Sequence, residues 1–347
     1  MKKTIMMIIA VIFTIGSLSA CGADKNNDLN SQAGTGKNLN GSNLKVVTTI
    51  FPEYDWVKNI MGEKAEKAEV TNLLDNGVDL HSYQPTIDDI LTISECDLFI
   101  YVGGESDGWV KDALNQATNK NMEVINLLEV LGDKVKNEEI VEGMEHDHDH
   151  DHDEDHDEDH DHDHDHEEAE LDEHVWLSLR NAVVICDEIA GRLMKLDPAN
   201  TDVYKNNVTA YKDKLNVLDG QYKEAVSGSK IKTLLFGDRF PFRYLTDDYG
   251  LDYYAAFAGC SAETEASFET VLFLAEKVDE LNLHSIMTIE GSDKKIAETI
   301  RNSTVTKDQE IRTLNSMQGI TSKDIASGTS YLSVMTENLE TLKQALK

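Results

Sequence analysis

Asp197-Pro198-Ala199-Asn200-Thr201-Asp202-Val203-Tyr204 opens the segment whose reading decides the fold of this 347-residue chain. Asp197 is placed as an N-cap and Pro198 at the first helical position, where its missing N–H is no loss. From Ala199 to Val226 the sequence is mostly polar, with a thin apolar stripe at helical spacing: Val203, Val208, Tyr211, Leu215, Leu218 and Tyr222. At ~1.5 Å per residue such a helix runs about 40 Å, longer than a compact domain needs. A long and largely solvated helix predicts a rigid connector between two folded halves.

On the N-terminal side of that connector, strand and helix patterns alternate. Leu44 to Ile50, Ala68 to Leu74, Asp97 to Val102 and Met122 to Leu128 read as strands, with helical spacing at Glu53 to Met61, Thr86 to Ile93 and Gly108 to Ala117. Thr86 with Asp89 has the form of a capping start. A further helix is predicted from Val175 to Leu196, and beyond the connector the alternation resumes from Ile231 to a last helix at Thr329 to Leu346. Strands separated by helices imply parallel sheets covered on both faces. The predicted fold class is therefore α/β: two four-stranded α/β lobes joined by a single long connector helix, with a cleft between them where strand ends can present a ligand site. The expected divisions are residues 1–20, 21–43, 44–197, 198–228 and 229–347.

Composition narrows the partners. The formal net charge is −33, and sixteen of the acids lie between Glu145 and Glu170, leaving −17 elsewhere. Nucleic acid is excluded as a partner, because no basic stripe is available for phosphate contacts. Within the loop 144–170 stand His146, His148, His150, His152, His156, His160, His162, His164 and His166, mostly at alternate positions with Asp or Glu between them. Between His146 and His166 there is no apolar residue, so this tract cannot build a core and reads as a solvated collector of divalent cations. Imidazole suits zinc, copper and nickel, and the tract alone leaves the metal open among them. Its alternation never produces the His-Glu-x-x-His helix pair of zinc hydrolases, so it serves as an auxiliary loop and not as the main site.

The first residues carry Lys2 and Lys3, an apolar run from Ile5 to Ile15, and then Leu18-Ser19-Ala20-Cys21. The run is too short to span a membrane and reads as a signal peptide, residues 1–20. Leu-Ser-Ala-Cys resembles a bacterial lipobox, which implies lipid on Cys21 and a tether of small polar residues, 21–43, holding the mature protein to the extracytoplasmic face of the cell membrane. Cys96, Cys186 and Cys260 lie in or beside apolar segments and are expected as buried free thiols. No two of them share ligand spacing, so a cysteine-based metal site is not expected.

Outside the tract the histidines are His81, His174 and His284. His81 follows the second predicted strand in Asp75-Asn76-Gly77-Val78-Asp79-Leu80-His81-Ser82-Tyr83-Gln84-Pro85, and His174 immediately precedes a helix. Both positions can face the cleft, whereas His284, at a turn before a strand, is expected at the surface. Gly77-Val78-Asp79-Leu80-His81-Ser82-Tyr83-Gln84-Pro85-Thr86, Asp97-Leu98-Phe99-Ile100-Tyr101-Val102-Gly103-Gly104-Glu105 and Asp172-Glu173-His174-Val175-Trp176-Leu177-Ser178 resemble the signatures of the zinc and manganese substrate-binding lipoproteins of ABC importers. The His-rich loop ahead of His174 resembles the zinc-specific members in particular. The likeness runs from Leu44 to Lys347. It implies a monomer that takes up Zn2+ in the cleft and passes it to a membrane permease, with cell adhesion as an associated property, and it does not imply an enzyme.

The resemblance carries over His81 and His174 as metal ligands. In the second lobe the sequence departs from the family pattern: Arg239 stands at the ligand position in Arg239-Phe240-Pro241-Phe242-Arg243-Tyr244, and Asn315 replaces the usual aspartate. Arginine offers only donors and cannot ligate. Asp238 and Glu290, at strand ends, are the expected substitutes, although either could instead pair with Arg239. Three alternatives follow from the incomplete set: manganese in place of zinc, an anion or metal chelate held by Arg239, or a zinc-dependent hydrolase with an open water position.

Overall fold

Lys45-Val46-Val47-Thr48 forms β1, with all but Lys45 buried, as a strand covered on both faces requires. The computed structural model describes residues 44–145, 170–261 and 265–347. The signal segment, Cys21, the tether and the nine histidines of the tract lie outside the described residues. β1 pairs in parallel with β2 (Glu69–Asn72) and β3 (Leu98–Tyr101), and β4 (Glu123–Asn126) adds to β3, in the order β2-β1-β3-β4. The second sheet repeats this plan with β5 (Thr233–Phe240), β6 (Asp252–Ala258), β7 (Ser285–Ile289) and β8 (Glu310–Leu314), ordered β6-β5-β7-β8 and again all parallel. In such a sheet ligands gather beyond the carboxyl ends of the strands, near where the strand order reverses. The register of β5 against β6 breaks between Phe236 and Arg239, and such a bulge re-aims the side chains that follow it.

The connector is the helix Thr201–Gly228, 28 residues long. It is not the solvated strut that its composition suggests. Tyr204, Val208, Tyr211, Leu215, Leu218, Tyr222 and Val226 are buried, while Val203 is only partly so. The helix lies against Phe51–Met61, Leu179–Leu196 and the C-terminal helix Tyr331–Ala345. Its buried tyrosines each find an acceptor: Tyr204 on Asp197, Tyr211 on Asp55 and Tyr222 on the Met335 carbonyl, at 2.7, 3.2 and 2.6 Å. Asp197 therefore does not cap the backbone as predicted. Pro198–Asn200 forms a 3-10 turn, and the carboxylate accepts from the Asn200 and Tyr204 side chains instead.

A second correction concerns the helix expected from Val175. Val175–Leu177 is a 3-10 turn, and the α-helix begins at Leu179 with the Ser178 hydroxyl accepting from Asn181 N–H. The C-terminal helix strengthens the junction. Tyr331 donates to the Trp176 carbonyl at 2.7 Å and meets the Trp56 ring edge-on at 5.1 Å. Trp176 in turn donates to the Ser316 carbonyl at 2.8 Å. One apolar core thus continues from the first sheet through the connector into the second half.

Glu53 is wholly buried beneath β1 and accepts from Thr49 N–H, Thr49 Oγ and Ile50 N–H. Burial, reinforced by the charge of Asp107, pushes its carboxyl from 4.5 up to about 8. The folded state therefore holds this proton where the unfolded chain has lost it. The stabilisation is complete below about pH 4.5 and is lost as pH rises through about 8. Glu53→Gln should flatten the decline in stability between about pH 4.5 and about pH 8, measured by urea unfolding; an unaltered slope would show that the proton is not held at Glu53.

Candidate metal centre

The loop after β2 carries His81 in the 3-10 turn Leu80–Ser82. Asp79 caps that turn, its Oδ1 accepting from His81 N–H at 3.0 Å. His174 enters from the segment before the turn Val175–Leu177, where Asp172 Oδ1 accepts from its N–H at 2.9 Å and lies 3.0 Å from its Nδ1. His81 Nδ1 lies 2.8 Å from Ser106 Oγ and 3.5 Å from Glu173 Oε2. Both rings thus have Nδ1 engaged on an oxygen, which directs Nε2 toward the common centre. The two Nε2 atoms are 3.2 Å apart. A tetrahedral zinc with Zn–N of ~2.0–2.1 Å sets its nitrogen ligands about 3.3–3.4 Å apart. The pair is therefore spaced as one edge of such a site.

Burial keeps His81 neutral. His174 is fully buried and His81 nearly so. Desolvation, with His174 beside it, pulls His81 from 6.5 down to about 3. A neutral imidazole is the form that ligates. Close packing holds the geometry. A Cβ on Gly104, at φ +81°, would fall on the Glu173 carboxylate. A Cβ on Gly259 would sit 2.9 Å from the Phe240 carbonyl and 3.1 Å from the His174 ring. Asp172 is the partner with the clearest consequence. Asp172→Ala should lower zinc affinity by roughly 10–100-fold while leaving the ligands themselves in place; equal affinities in a chelator competition would remove Asp172 from the site.

The second half contributes differently from the expectation. Glu290 faces its own lobe, where it accepts from Ser316 N–H and Oγ and from Gln318 N–H at 2.6, 2.6 and 3.1 Å. Asp238 accepts from Arg239 N–H and Ile289 N–H. Neither joins the donor group that forms around the two histidines. The Arg239 guanidinium pairs with neither of them. Its guanidinium donates to Asp79 Oδ2 at 2.7 Å and to the Ser261 carbonyl at 3.3 Å. Burial opposes ionisation of Asp79, but the Arg239 charge and hydrogen bond outweigh it and hold that carboxyl below its usual value. Arg239 is thus a tie between the His81 loop and the segment after β6, with its charge already compensated, and not a free anion receptor. A cleft of about 460 Å³ is lined by Asp79, Arg239, Glu290, Asn315 and Gln318. Neither histidine lines it, so the donor pair belongs to the protein interior beside that opening.

What the spacing argument missed is Cys260. Among the described residues, His81, His174 and Cys260 form the group whose donor atoms all lie within 4.8 Å of one another. Cys260 directly follows Gly259, where any side chain would crowd the His174 ring, and its N–H donates to Glu138 Oε1 at 2.9 Å. Cys96 and Cys186 are buried free thiols as expected, and His284 is exposed. Gln318 is 7% exposed; its Nε2 lies 3.5 Å from His174 Nε2, and its Oε1 has no partner.

Comparison with known proteins matches residues 46–345 to the family model of the zinc-uptake complex component A, periplasmic. The chain belongs to this family. A relative matched over nearly its full length is the high-affinity zinc uptake system protein ZnuA of Bacillus subtilis, 30% identical over 98% of this chain and 97% of that protein. The zinc-binding protein AdcA of Streptococcus pyogenes is 30% identical over 86% of this chain, which spans only 55% of AdcA. Among solved structures, the Zn(II)-bound ZnuA-like domain of Streptococcus pneumoniae AdcA superposes with a TM-score of 0.66 at 27% identity, covering 88% of this chain and 99% of that one. The metal-dependent lipoprotein YcdH of Bacillus subtilis gives 0.68 at 26%, over 88% and 99%. These likenesses carry the two-lobed α/β architecture over the described body of the chain. No helix among the described residues is long and apolar enough to cross a membrane.

Proposed function

We propose that this protein captures Zn2+ between its two lobes on the outer side of the cell membrane, held there by lipid on Cys21, and passes the ion to the permease of an ABC importer. The observation that carries this reading is the pair of buried imidazoles, His81 and His174, with Nε2 atoms 3.2 Å apart and both Nδ1 atoms engaged on oxygens. The resemblance in the loops around His81 and His174 and the family membership support the same cargo. Manganese fits less well, because it favours carboxylate and water oxygens over imidazole, and Glu290 and Asp238 are both committed to backbone donors. The protein acts as a receptor and not a hydrolase: the histidines sit in the interior, away from the opening that a polymeric substrate would use. As the rest of the cargo system, the tract from His146 to His166 collects zinc loosely for the interior site.

Deletion of the gene should abolish radiolabelled zinc uptake when external zinc is held low by a chelator, and a plasmid copy should restore it where a His81→Ala/His174→Ala copy does not. Uptake that proceeds equally without the protein would refute the delivery role.

A further inference from the structure

The family pattern places a nitrogen or carboxylate ligand where this chain has Arg239, and that guanidinium is tied to Asp79 and the Ser261 carbonyl. The second half must still supply a donor if the ion is to be gripped from both sides. We propose that this donor is the Cys260 thiolate, so that zinc is held by His81 Nε2, His174 Nε2 and Cys260 Sγ, with the side-chain amide of Gln318 against the fourth position. This inference rests on the zinc-capture reading above and specifies the site that performs it.

Several independent features support it. The three donor atoms lie within 4.8 Å of one another, near enough to converge on one ion. Gly259 lets the chain carrying Cys260 pass against the His174 ring, a contact that any Cβ there would crowd. Arg239 holds the next residue, Ser261, through its carbonyl and the His81 turn through Asp79, so one side chain positions the loops of two of the ligands. Gln318 gives an observation separate from the cysteine. It is more than nine-tenths buried, its amide nitrogen touches His174 Nε2, and its oxygen has no partner among the described residues. A buried amide oxygen left unpaired costs free energy, and at this place a metal, or water bound to one, would satisfy it.

Binding is balanced simply. As the Sγ–zinc bond forms, the Sγ–H bond breaks and the proton leaves to solvent, with no change of oxidation state. A thiolate with two imidazoles is a soft donor set. It favours zinc and cadmium, and it disfavours manganese, which prefers oxygen ligands.

The test uses the full-length chain. Cobalt(II) in the wild-type protein should show a near-ultraviolet thiolate-to-metal charge-transfer band, and Cys260→Ala should lose that band; the histidine tract cannot produce it because it contains no sulfur. One equivalent of zinc should protect Cys260 from iodoacetamide in wild-type protein, read by peptide mass spectrometry, a measurement that needs no variant to fold. Cys260→Ala should weaken the tight zinc site by roughly 10²-fold or more, as loss of a direct ligand exceeds the 10–100-fold typical of its supporting residues. Cys260→His should restore much of the zinc affinity but not the sulfur charge-transfer band. A wild-type protein that binds one zinc tightly, yet shows no sulfur band and leaves Cys260 equally reactive, overturns the thiolate while leaving zinc capture standing. A wild-type protein with no tight zinc site overturns both.

Discussion

Replacing His174 by alanine is expected to lower zinc affinity by at least about 10²-fold, beyond the 10–100-fold that loss of a supporting residue such as Asp172 costs. The reason is geometric. His174 Nε2 is one end of the 3.2 Å donor pair, and among the described residues no third imidazole lies in the group to replace it. The variant is not structurally silent, although its sequence position suggests an exposed loop. His174 is fully buried against Trp176, and Asp172, only 2% exposed, would lose the imidazole N–H while keeping that of the backbone. A stability loss of about 1–3 kcal/mol is expected from a buried group deprived of a partner. His81→Ala separates the two effects, since His81 retains some exposure and its turn is held by the Asp79 cap. Chelator competition on both variants should show the same large loss of zinc affinity, with thermal unfolding of the zinc-free protein affected mainly by the His174 change. Wild-type affinity in His81→Ala would remove the imidazole pair from the site.

Deleting residues 145–170 is expected to abolish every weak phase of a zinc titration and to preserve one tight site. Each ion taken by the tract must order a segment whose stretch from His146 to His166 has no apolar residue to pack, and that conformational cost subtracts from the contact energy. The buried site has no such cost, because Asp172, Ser106 and Glu173 already fix the two rings. The weak ions should leave the intact protein below about pH 6, as free imidazoles with a pKa near ~6.5 protonate, and the neighbouring carboxylates shift that loss to somewhat lower pH by favouring local cation binding. Uptake by the deleted protein should fail only when zinc is scarce. If calorimetry on the deleted protein showed no tight phase, the tract would be the receptor and the interior site would not.

The connector shows how far pattern alone could reach. Its helical spacing and the strand-helix alternation on either side were readable, because local periodicity reports which faces must be buried and which pairings the chain can make. Its docking was not. The stripe of Val203, Val208, Tyr211, Leu215, Leu218 and Tyr222 put two tyrosine rings on the apolar face, but it omitted Tyr204 and gave no sign that the three hydroxyls would go to Asp197, Asp55 and the Met335 carbonyl. Those acceptors are brought to the helix by other elements.

The same division holds at the candidate metal centre. His81 and His174 were legible in the sequence, because few histidines stand outside the tract and both occupy loops at element boundaries within motifs that resemble a known family. Glu290 and Asp238 were reasonable from their strand-end positions, but whether a carboxylate faces a cleft or its own backbone is decided by the loop it meets; Ser316, Gln318 and Ile289 take up these two. Cys260 was dismissed because no second cysteine stood at ligand spacing. Spacing constrains only ligands that share a local segment. His81, His174 and Cys260 come from loops far apart in the chain, and their proximity arises only when two parallel sheets, each with its strand ends turned to the same junction, are packed together by the connector and the C-terminal helix. Residue types and local periodicity are properties of the sequence by itself, whereas the distance between side chains on separate elements exists only once packing has fixed it.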